Sequence, residues 1–409
     1  MSVHFKARDM AELQIAELDK QLLRRKLRTT ETPCDAKARI GQRELKVFCS
    51  NDYLGLANHP KLVTAFADGA KLYGVGSGAS HLISGHSIAH DLLEKKLAAC
   101  EGKHIPHARA LFFSTGYLAN INAITGIARL AGQGGASIYS AKLNHASLID
   151  GVRLASAQTK AEVTLFDHQD LDALEKSLKQ DSHPLKLIVI DGVFSMDGDI
   201  APIEKLLQIA EQYDALLMVD DAHGFGVLGE QGHGILEQKD VHSERIIYVG
   251  TLGKAAGVSG AFICAAAPFI EWLMQKGRPY IYSTATPPAI AHTLISSLEL
   301  IEGDEGIARR KKLNALIQIW RDEMTFIHWE KVSSSTPIQP VILGSNANAL
   351  TAAKLLDEAG YWIPAIRPPT VPVGSSRLRI TFSANHSVDD LRELIQALKV
   401  IEQTVESNS

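Results

Sequence analysis

The sequence predicts an α/β protein: a central, mostly parallel sheet flanked by helices, followed by a smaller α+β domain at the C-terminal end. Three short apolar runs have the character of buried parallel strands, at Leu187–Ile190, Leu216–Val219 and Ile246–Val249. Helical patterns such as Ile203–Tyr213 lie between them. This strand–helix–strand alternation is typical of a parallel sheet that is covered on both faces.

The N-terminal segment is highly charged, but apolar residues recur in it at near-helical spacing between Asp9 and Arg28. This spacing predicts an amphipathic helix that lies on another surface. We therefore expect residues 1–60 to form an N-terminal helix and a short strand segment. Residues 61–290 are expected to form the large domain.

A long helical stretch begins after Pro287-Pro288 and is expected to continue to about Met324. Beyond it, strands alternate with helices in the order Pro340–Leu343, Ala347–Ala359, Arg377–Thr381 and Val388–Val405. Residues 291–409 are thus expected to form a long linking helix and the C-terminal α+β domain.

The composition excludes several classes of function. The 409 residues are 45% hydrophobic and 22% charged with a formal net charge of -4, so nothing favours binding to nucleic acid or to an anionic membrane. The N-terminal residues lack the apolar core of a secretory signal, and no run is long enough to span a membrane. The four cysteines form no C-x-x-C pair. We expect reduced thiols and a cytoplasmic protein.

Each of the three predicted strands is followed by polar residues. The carboxyl ends of parallel strands lie at one edge of a sheet, where ligands usually bind. This edge is expected to bring together Asp220, His223 and Lys254, and so a carboxylate, an imidazole and an amine. A pyridoxal-5'-phosphate (PLP) enzyme needs this set, because the amine forms a Schiff base with the cofactor and the carboxylate keeps the pyridine nitrogen protonated.

Each of these residues alone also has a structural explanation. An Asp after a strand commonly caps a helix or occupies a turn, and a Lys among Ala and Gly is often a solvated loop residue. The turn Ser114–Tyr117 offers backbone N–H groups to a phosphate at a helix N-terminus, yet such turns are also common without a phosphate. It is the convergence of these residues that favours PLP chemistry.

Six motifs, in this order, make the sequence resemble the α-oxoamine synthases, which are fold-type I PLP-dependent enzymes. They are Ser50–Leu56, Gly76–Ser80, Asn144–Ser147, Gly192–Gly198, Asp220–Gly224 and Thr251–Lys254. The matching segments run from about Leu18 to about His386, which is nearly the whole chain. The resemblance implies PLP as the cofactor, a fold-type I architecture and an acyl-transfer reaction.

The resemblance also implies a role for each matching residue. Lys254 matches the Schiff-base lysine, Asp220 the carboxylate on the pyridinium nitrogen, and His223 the imidazole near the ring hydroxyl. His145 matches the histidine that stacks on the cofactor ring. The remaining cofactor contacts are expected at Gly116, Tyr117, Ser195 and Thr251.

Substrate contacts are implied in the same way. Arg379 resembles the arginine that binds the amino-acid carboxylate, a task suited to a planar cation with two donors. Asn51 and His145 resemble neighbouring substrate contacts, while Arg28 and Thr370 resemble positions that touch the acyl substrate. Without the resemblance, a solvated charge at a helix end is the better explanation of Arg28.

Two loops favour one branch of the family. Ala365–Pro372 and Tyr282–Pro288 are most similar to the branch that condenses L-alanine with a pimeloyl thioester, giving 8-amino-7-oxononanoate for biotin. The acyl carrier is coenzyme A or acyl carrier protein, and the residues do not decide between them. The resemblance also implies a homodimer with active sites at the subunit interface, where the Tyr282–Pro288 loop helps complete the partner's site.

Other functions stay open at this point. The same chemistry on glycine with acetyl or succinyl thioesters is the nearest alternative, and an aminotransferase shares the fold. A non-catalytic subunit is disfavoured because Lys254 is present. His86 and His90 have the spacing of helical metal ligands but lack the Glu of a metallopeptidase motif, so no metal site is expected.

The sequence departs from its relatives at three places. Asp191 stands where some relatives have Glu, and Ala255-Ala256 follows the lysine where Gly and a bulky residue are common. The segment Lys103–His107 is longer than in some relatives, and we expect it to be a surface insertion.

Overall fold

The computed structural model describes residues 6–407, so the first five residues of the expected N-terminal segment and residues 408–409 lie outside the described residues. Its strands are β1 (Lys37–Ile40), β2 (Arg43–Val47), β3 (Ala108–Phe113), β4 (Ala136–Ala141), β5 (Glu162–Phe166), β6 (Leu185–Asp191), β7 (Ala215–Asp220), β8 (Ile246–Thr251), β9 (Ala261–Ala266), β10 (Glu330–Lys331), β11 (Ile338–Gly344), β12 (Tyr361–Trp362), β13 (Ala365–Ile366) and β14 (Ser376–Thr381).

Its α-helices are α1 (Lys6–Lys20), α2 (Pro60–Tyr73), α3 (Ile88–Glu101), α4 (Gly116–Ala128), α5 (Ala146–Thr159), α6 (Leu171–Gln180), α7 (Ile203–Gln212), α8 (Ile235–Lys239), α9 (Ala267–Lys276), α10 (Arg278–Tyr282), α11 (Pro288–Glu302), α12 (Asp304–Glu323), α13 (Asn346–Glu358) and α14 (Val388–Glu406). A π-helical turn, His81–Gly85, precedes α3. No helix in the described part of the chain is long and apolar enough to cross a membrane.

The described residues divide into two compact units. The first unit contains residues up to Ser50 together with Met196–Gly198 and Asn314–Ser409, and the second contains Asn51–Ser195 and Asp199–Leu313. The boundaries differ from the expected 60 and 290 because α11 packs against α2 and α3 and so belongs to the second unit.

The second unit is built on a sheet that, within the described residues, has the order β3-β9-β8-β7-β6-β4-β5. From β8 to β5 all neighbours are parallel, while β9 is antiparallel to both β8 and β3. The three strands predicted from apolar runs are the central strands β6, β7 and β8. The predicted fold class, a mostly parallel sheet flanked by helices with a smaller sheet domain, is confirmed.

Alternation along β7 explains how its two faces are used, because successive side chains of a strand point to opposite faces of the sheet. Leu216 and Met218 belong to a buried cluster with Ile124 and other residues of α4. Asp220 lies two residues after Met218 and therefore on the same face of the sheet. Its carboxylate is directed toward α4 at the end of the strand.

The first unit contains two small sheets, with orders β1-β2-β12 and β10-β11-β14-β13 among the described residues. Helices α13 and α14 pack against each other, and α13 also packs on β14. The strand–helix–strand–helix order predicted for the C-terminal region is therefore confirmed by β11, α13, β14 and α14.

Two local expectations are wrong. Helix α1 ends at Lys20 rather than near Arg28, because Leu22 adopts the left-handed conformation (φ 58°), and no residue of α1 is buried. The long helix is interrupted at Gly303, whose extended backbone separates α11 from α12. The segment Lys103–His107 is exposed at Lys103, Pro106 and His107, as expected for a surface segment, but His104 and Ile105 are buried.

Candidate active site

A cavity of about 170 Å³ lies at the carboxyl ends of β6, β7 and β8, within the second unit. All eight cofactor contacts expected from the sequence line it, namely Gly116, Tyr117, His145, Ser195, Asp220, His223, Thr251 and Lys254. Four residues that the sequence did not single out as cofactor contacts also line it, namely Asn120, Ser147, Asp191 and Ala222. The structure thus brings the predicted cofactor residues together around one cavity.

Asp220 is the fixed carboxylate of this cavity. One of its oxygens accepts a hydrogen bond from the Asn120 amide at 2.5 Å, and the other accepts from the backbone N–H of Ala222 at 3.0 Å. Asn120 lies on α4 and also donates to Ser147 Oγ at 2.8 Å. Both oxygens of Asp220 are therefore held in place by donors, and the orientation of the carboxylate in the cavity is fixed.

His145 caps α5 and faces the same cavity. Its ring Nδ1 accepts from the Ser147 backbone N–H at 3.2 Å, which fixes the orientation of the imidazole. Burial lowers the pKa of His145, and the charge of Lys254 acts in the same direction. The ring is therefore neutral at physiological pH and suited to stacking on an aromatic system.

Asp191 lies behind His145, at the end of β6. Its carboxylate accepts from the backbone N–H of His145 at 2.6 Å, and so holds the start of α5 in place. Burial raises the pKa of Asp191 well above its usual range, and the charge of Asp220 raises it further. Two carboxylates near one another in a buried site do not both ionise readily.

A hydrogen-bonded series connects Lys254 to Asn51. Lys254 Nζ lies 2.9 Å from His223 Nε2, and His223 Nδ1 lies 2.7 Å from the hydroxyl of Tyr53. The Tyr53 hydroxyl donates to Asn51 Oδ1 at 3.1 Å. Because the Tyr53 hydroxyl donates its hydrogen to Asn51, it accepts a hydrogen bond from His223 Nδ1–H. The other ring nitrogen of His223, Nε2, then presents its lone pair to Lys254.

The N-terminus of α4 provides donors for an anion at the edge of the cavity. Thr115 is the N-cap and accepts from the backbone N–H of Leu118, which leaves the N–H groups of Gly116 and Tyr117 directed outward. A Cβ atom on Gly116 would lie 2.9 Å from Thr251 Oγ1, so only glycine leaves this position open. Both features suit a phosphate group.

Three of the expected substrate contacts lie in the first unit. Arg379 is buried on β14. Burial raises the pKa of the Cys49 thiol to about 12, while the charges of Arg379 and Arg28 act to lower it. Arg28 and Arg379 therefore lie near the same thiol. The hydroxyl of Thr370 accepts from Arg25 at 3.2 Å.

Arg28 is not the solvated helix-end charge that the residues alone suggested. Helix α1 ends at Lys20, and the Arg28 guanidinium pairs with Asp357 at 2.5 Å. It also lies 5.1 Å from the centre of the Trp362 ring, which is a cation–π contact.

Asn120 and Tyr53 are functional candidates that the sequence analysis missed. Asn120 lies on α4, which is mostly apolar but also carries Asn122 and Thr125, and it follows Gly116 by one helical turn. This pattern could have identified it as a residue directed toward the site. Tyr53 gives no such signal, because its hydroxyl meets His223 only through tertiary packing.

The residues around the cavity fit PLP. Lys254 supplies the amine, Asp220 a carboxylate held by donors, and His145 a neutral flat ring, while the α4 N-terminus suits the phosphate. This set of donors, rather than any one of them, is what PLP requires of a protein.

Comparisons with known proteins identify the family of this chain. Residues 43–398 match the family model of class I and II aminotransferases. The 8-amino-7-oxononanoate synthase of Janthinobacterium sp. (strain Marseille) is 52% identical over 96% of this chain and 98% of that protein. The chain belongs to the 8-amino-7-oxononanoate synthase family. It is an acyltransferase-type enzyme, and its cofactor is PLP.

Solved structures extend the likeness to three dimensions. An 8-amino-7-oxononanoate synthase from Francisella tularensis is 29% identical with a TM-score of 0.72, covering 89% of this chain and 98% of that one. A serine palmitoyltransferase from S. paucimobilis with a bound PLP–myriocin aldimine is 26% identical with a TM-score of 0.86, covering 99% and 100%. Members of this family and the serine palmitoyltransferases therefore share the fold described above.

Proposed function

We propose that this chain condenses L-alanine with a pimeloyl thioester, giving 8-amino-7-oxononanoate, carbon dioxide and the free thiol carrier, in the biosynthesis of biotin. The observation that carries the proposal is the joint placement of Lys254, Asp220 and His145 around one cavity, in a chain about half identical to synthases of this name. The carrier is coenzyme A or acyl carrier protein.

Lys254 is the residue that holds and moves the proton at the reacting carbon. PLP, when bound, supplies an aldehyde that an amine can attack and an electron-accepting ring. Once the substrate amine has replaced it, the Lys254 amine is free to remove the proton from the alanine Cα and later to return one. His223 Nε2, 2.9 Å from Lys254 Nζ, sets the direction of the lysine and can accept its hydrogen bond.

Asp220 and His145 prepare the site for this chemistry. The Asp220 carboxylate, held by Asn120 and Ala222, would keep a proton on the pyridine nitrogen of PLP. The neutral imidazole of His145 would cover one face of that ring and exclude water from it.

The substrate carboxylate is assigned to Arg379, with Asn51 as a second contact. A guanidinium binds a carboxylate through two parallel hydrogen bonds, and so orients the Cα for proton removal and later for loss of carbon dioxide. Arg28 and Thr370 are assigned to the acyl substrate.

The working protein is proposed to be a homodimer in the cytoplasm. The second unit exposes large apolar side chains around α2 and the following turn, including Val63, Phe66, Leu72 and Ile83. Exposed apolar residues in this number mark a protein–protein surface. Tyr282, also exposed, lies in the loop expected to help complete the partner's site. The four cysteines are free thiols, which agrees with a reducing compartment.

The test uses purified protein reconstituted with PLP. L-Alanine, glycine and L-serine are added separately while cofactor absorbance is recorded, and pimeloyl-CoA or pimeloyl-acyl carrier protein is then supplied. A spectral response to L-alanine, followed by thioester-dependent release of carbon dioxide and formation of 8-amino-7-oxononanoate, is expected.

Two results would overturn the proposal. A response to glycine with no response to L-alanine would assign the chain to a different condensation. Full activity in Lys254→Ala would remove the proposed base, whereas Lys142→Ala, on the loop after β4, serves as a lysine control that should keep activity.

A further inference from the structure

Three histidines outside the proposed active site converge on one point of the second unit. They are His81 at the start of the π-helical turn, His86 after it, and His90 in the first turn of α3. One ring nitrogen from each lies within 4.8 Å of the others. We propose that His81, His86 and His90 bind a transition-metal cation of the Zn²⁺ type.

The local backbone creates this arrangement. His86 and His90 follow the helical spacing that places side chains on one face, but that spacing by itself provides only two ligands. The π-helical turn His81–Gly85 adds the third, because it brings His81 Nδ1 to 2.9 Å from His86 Nδ1. This contact could not be predicted from helical spacing, because π-helical turns are rare and depart from that spacing.

The surroundings orient two of the rings as ligands. His90 Nε2–H donates to the carbonyl of Thr286 at 2.7 Å, which is the outer contact that metal-binding histidines commonly make. His90 Nδ1 is then the ligand atom, and it accepts from the Ser87 backbone N–H at 3.0 Å, a bond that a cation would replace. His81 stacks on Tyr280 with ring centres 4.7 Å apart, which fixes the plane of its imidazole.

Charge also favours a cation at this point. Burial lowers the pKa of all three histidines, that of His81 to about 3, so each ring keeps a lone pair at neutral pH. Asp91 is close enough to His86 to act on its pKa and so places a negative charge near the cluster. Three neutral imidazoles with an open fourth position form a ligand set that Zn²⁺, Ni²⁺ and Co²⁺ accept.

A second cluster, Cys100, His233 and Glu302, has comparable spacing but is already satisfied. The Glu302 carboxylate receives hydrogen bonds from Lys96 at 2.8 Å and from the Cys100 thiol at 3.3 Å. The Lys96 ammonium supplies the positive charge that a metal would bring. Burial also raises the pKa of the Cys100 thiol, which opposes formation of a thiolate ligand. This cluster is therefore the matched control.

The experiment titrates untagged, PLP-loaded protein with Zn²⁺ by calorimetry and with Co²⁺ by visible absorbance. We expect one ion per chain and a Co²⁺ spectrum typical of nitrogen ligands. His86→Ala, at an exposed position, should weaken binding by at least about 10-fold. Loss of a residue that only hydrogen-bonds to a metal ligand already costs about 10-fold in affinity, and His86 is proposed to be a ligand itself. His233→Ala should leave the affinity unchanged.

Thermal unfolding supplies a readout that is independent of catalysis. Zn²⁺ should raise the Tm of the wild type and of His233→Ala but not that of His86→Ala, because only a bound ion stabilises the folded state. Absence of stoichiometric binding, or equal affinity in His86→Ala, would overturn the proposal. Loss of binding in His233→Ala instead would assign the ion to the other cluster and overturn it equally.

Discussion

Asp220 and Asp221 are neighbours at the end of β7, but they belong to opposite faces of the sheet. The Asp220 carboxylate lines the cavity and accepts from Asn120 and from Ala222. The Asp221 carboxylate lies on the other face and accepts from the backbone N–H of Ile235 at 2.6 Å and from the hydroxyl of Tyr248 at 2.9 Å. One residue is thus placed for chemistry and the next for packing.

The two faces also differ in how they treat charge. Burial raises the pKa of Asp221 to about 7 and raises that of nearby Glu101 well above its usual range. Among the described residues, neither carboxyl oxygen of Glu101 has a hydrogen-bond partner. The cavity face surrounds the Asp220 carboxylate with hydrogen-bond donors, whereas burial on the packing face favours the neutral form of its carboxyl groups.

The first unit also places a residue assigned to chemistry close to a structural residue of the same type, here two arginines on β14. Arg377 is buried and donates to Asp197 at 2.6 Å and to the carbonyl of Met196 at 3.0 Å, so its guanidinium fastens one segment of the unit to another. Arg379, two residues further on, is the residue assigned to the substrate carboxylate. In both units, residue type alone does not distinguish the chemical residue from the structural one.

The largest difference is expected between Asp220→Asn and Asp221→Asn. Replacing Asp220 removes the anion that holds a proton on the cofactor ring, so kcat should fall on the order of 10²- to 10³-fold. Asp221→Asn keeps the size of the side chain on the opposite face and should change kcat by less than about 3-fold. Steady-state kinetics with L-alanine and pimeloyl-CoA measures both. Equal losses in the two variants would contradict the division between the faces.

Arg379→Ala and Arg377→Ala test whether the two arginines of β14 have different roles, one in substrate binding and one in stability. Loss of the charged hydrogen bonds to the substrate carboxylate should raise KM for L-alanine roughly 10- to 100-fold in Arg379→Ala. Arg377→Ala should instead lower Tm, because it removes a buried guanidinium that pairs with half-buried Asp197, while KM changes little. An unchanged KM in Arg379→Ala would remove it from the substrate site.

The packing face should make stability depend on pH. A carboxyl group whose pKa is raised in the folded state contributes stability below its unfolded pKa and loses it as the pH rises through the folded value. For Asp221, the rise from 3.8 to about 7 corresponds to a loss on the order of 4 kcal/mol. The contribution of Asp221 to the free energy of unfolding should therefore fall between about pH 4 and pH 7.

Glu101→Gln isolates one part of this dependence. The variant cannot ionise at this position, so its advantage over the wild type should grow by at least about 1 kcal/mol between pH 5 and pH 9, the equivalent of one pKa unit. Urea denaturation at the two pH values provides the measurement. Glu211→Gln, at an exposed position, is the control and should show no such change. A pH-independent difference for Glu101→Gln would show that Glu101 is ionised throughout.

Much of the fold was predictable because strongly apolar runs have few alternatives. The runs at Leu187–Ile190, Leu216–Val219 and Ile246–Val249 became the central strands, and the polar residues after them were expected at one edge of the sheet. The end of α1 was not predictable, because a left-handed residue such as Leu22 interrupts a helix without the usual Gly or Pro.

The site was predictable where a motif specifies chemistry and unpredictable where only packing does. Lys254 and Asp220 are proposed to carry the reaction, and their types and order in the motifs identify them. Asn120 contacts Asp220 across 100 positions of sequence, and only its spacing from Gly116 indicates that it faces the site. Tyr53 contacts His223 across 170 positions, and no local pattern reports that contact. The histidine cluster was missed for the same reason, since His81 meets His86 only through a π-helical turn.

The smallest effect, and the sharpest test of positioning, is expected for Tyr53→Phe. The Tyr53 hydroxyl fixes which nitrogen of His223 carries the proton, and thereby presents a lone pair to Lys254. Its removal should lower kcat about 10-fold, below the 10²- to 10⁴-fold of a direct proton-transfer group, and shift the pH profile. The ¹⁵N shifts of His223 in the cofactor-free protein should show a mixture of tautomers.

Tyr248→Phe is the control for this prediction. It removes a hydroxyl from the packing face and should alter neither the tautomer of His223 nor the pH profile. If His223 keeps one tautomer in Tyr53→Phe, the orienting group must be another neighbour and Tyr53 has only a packing role.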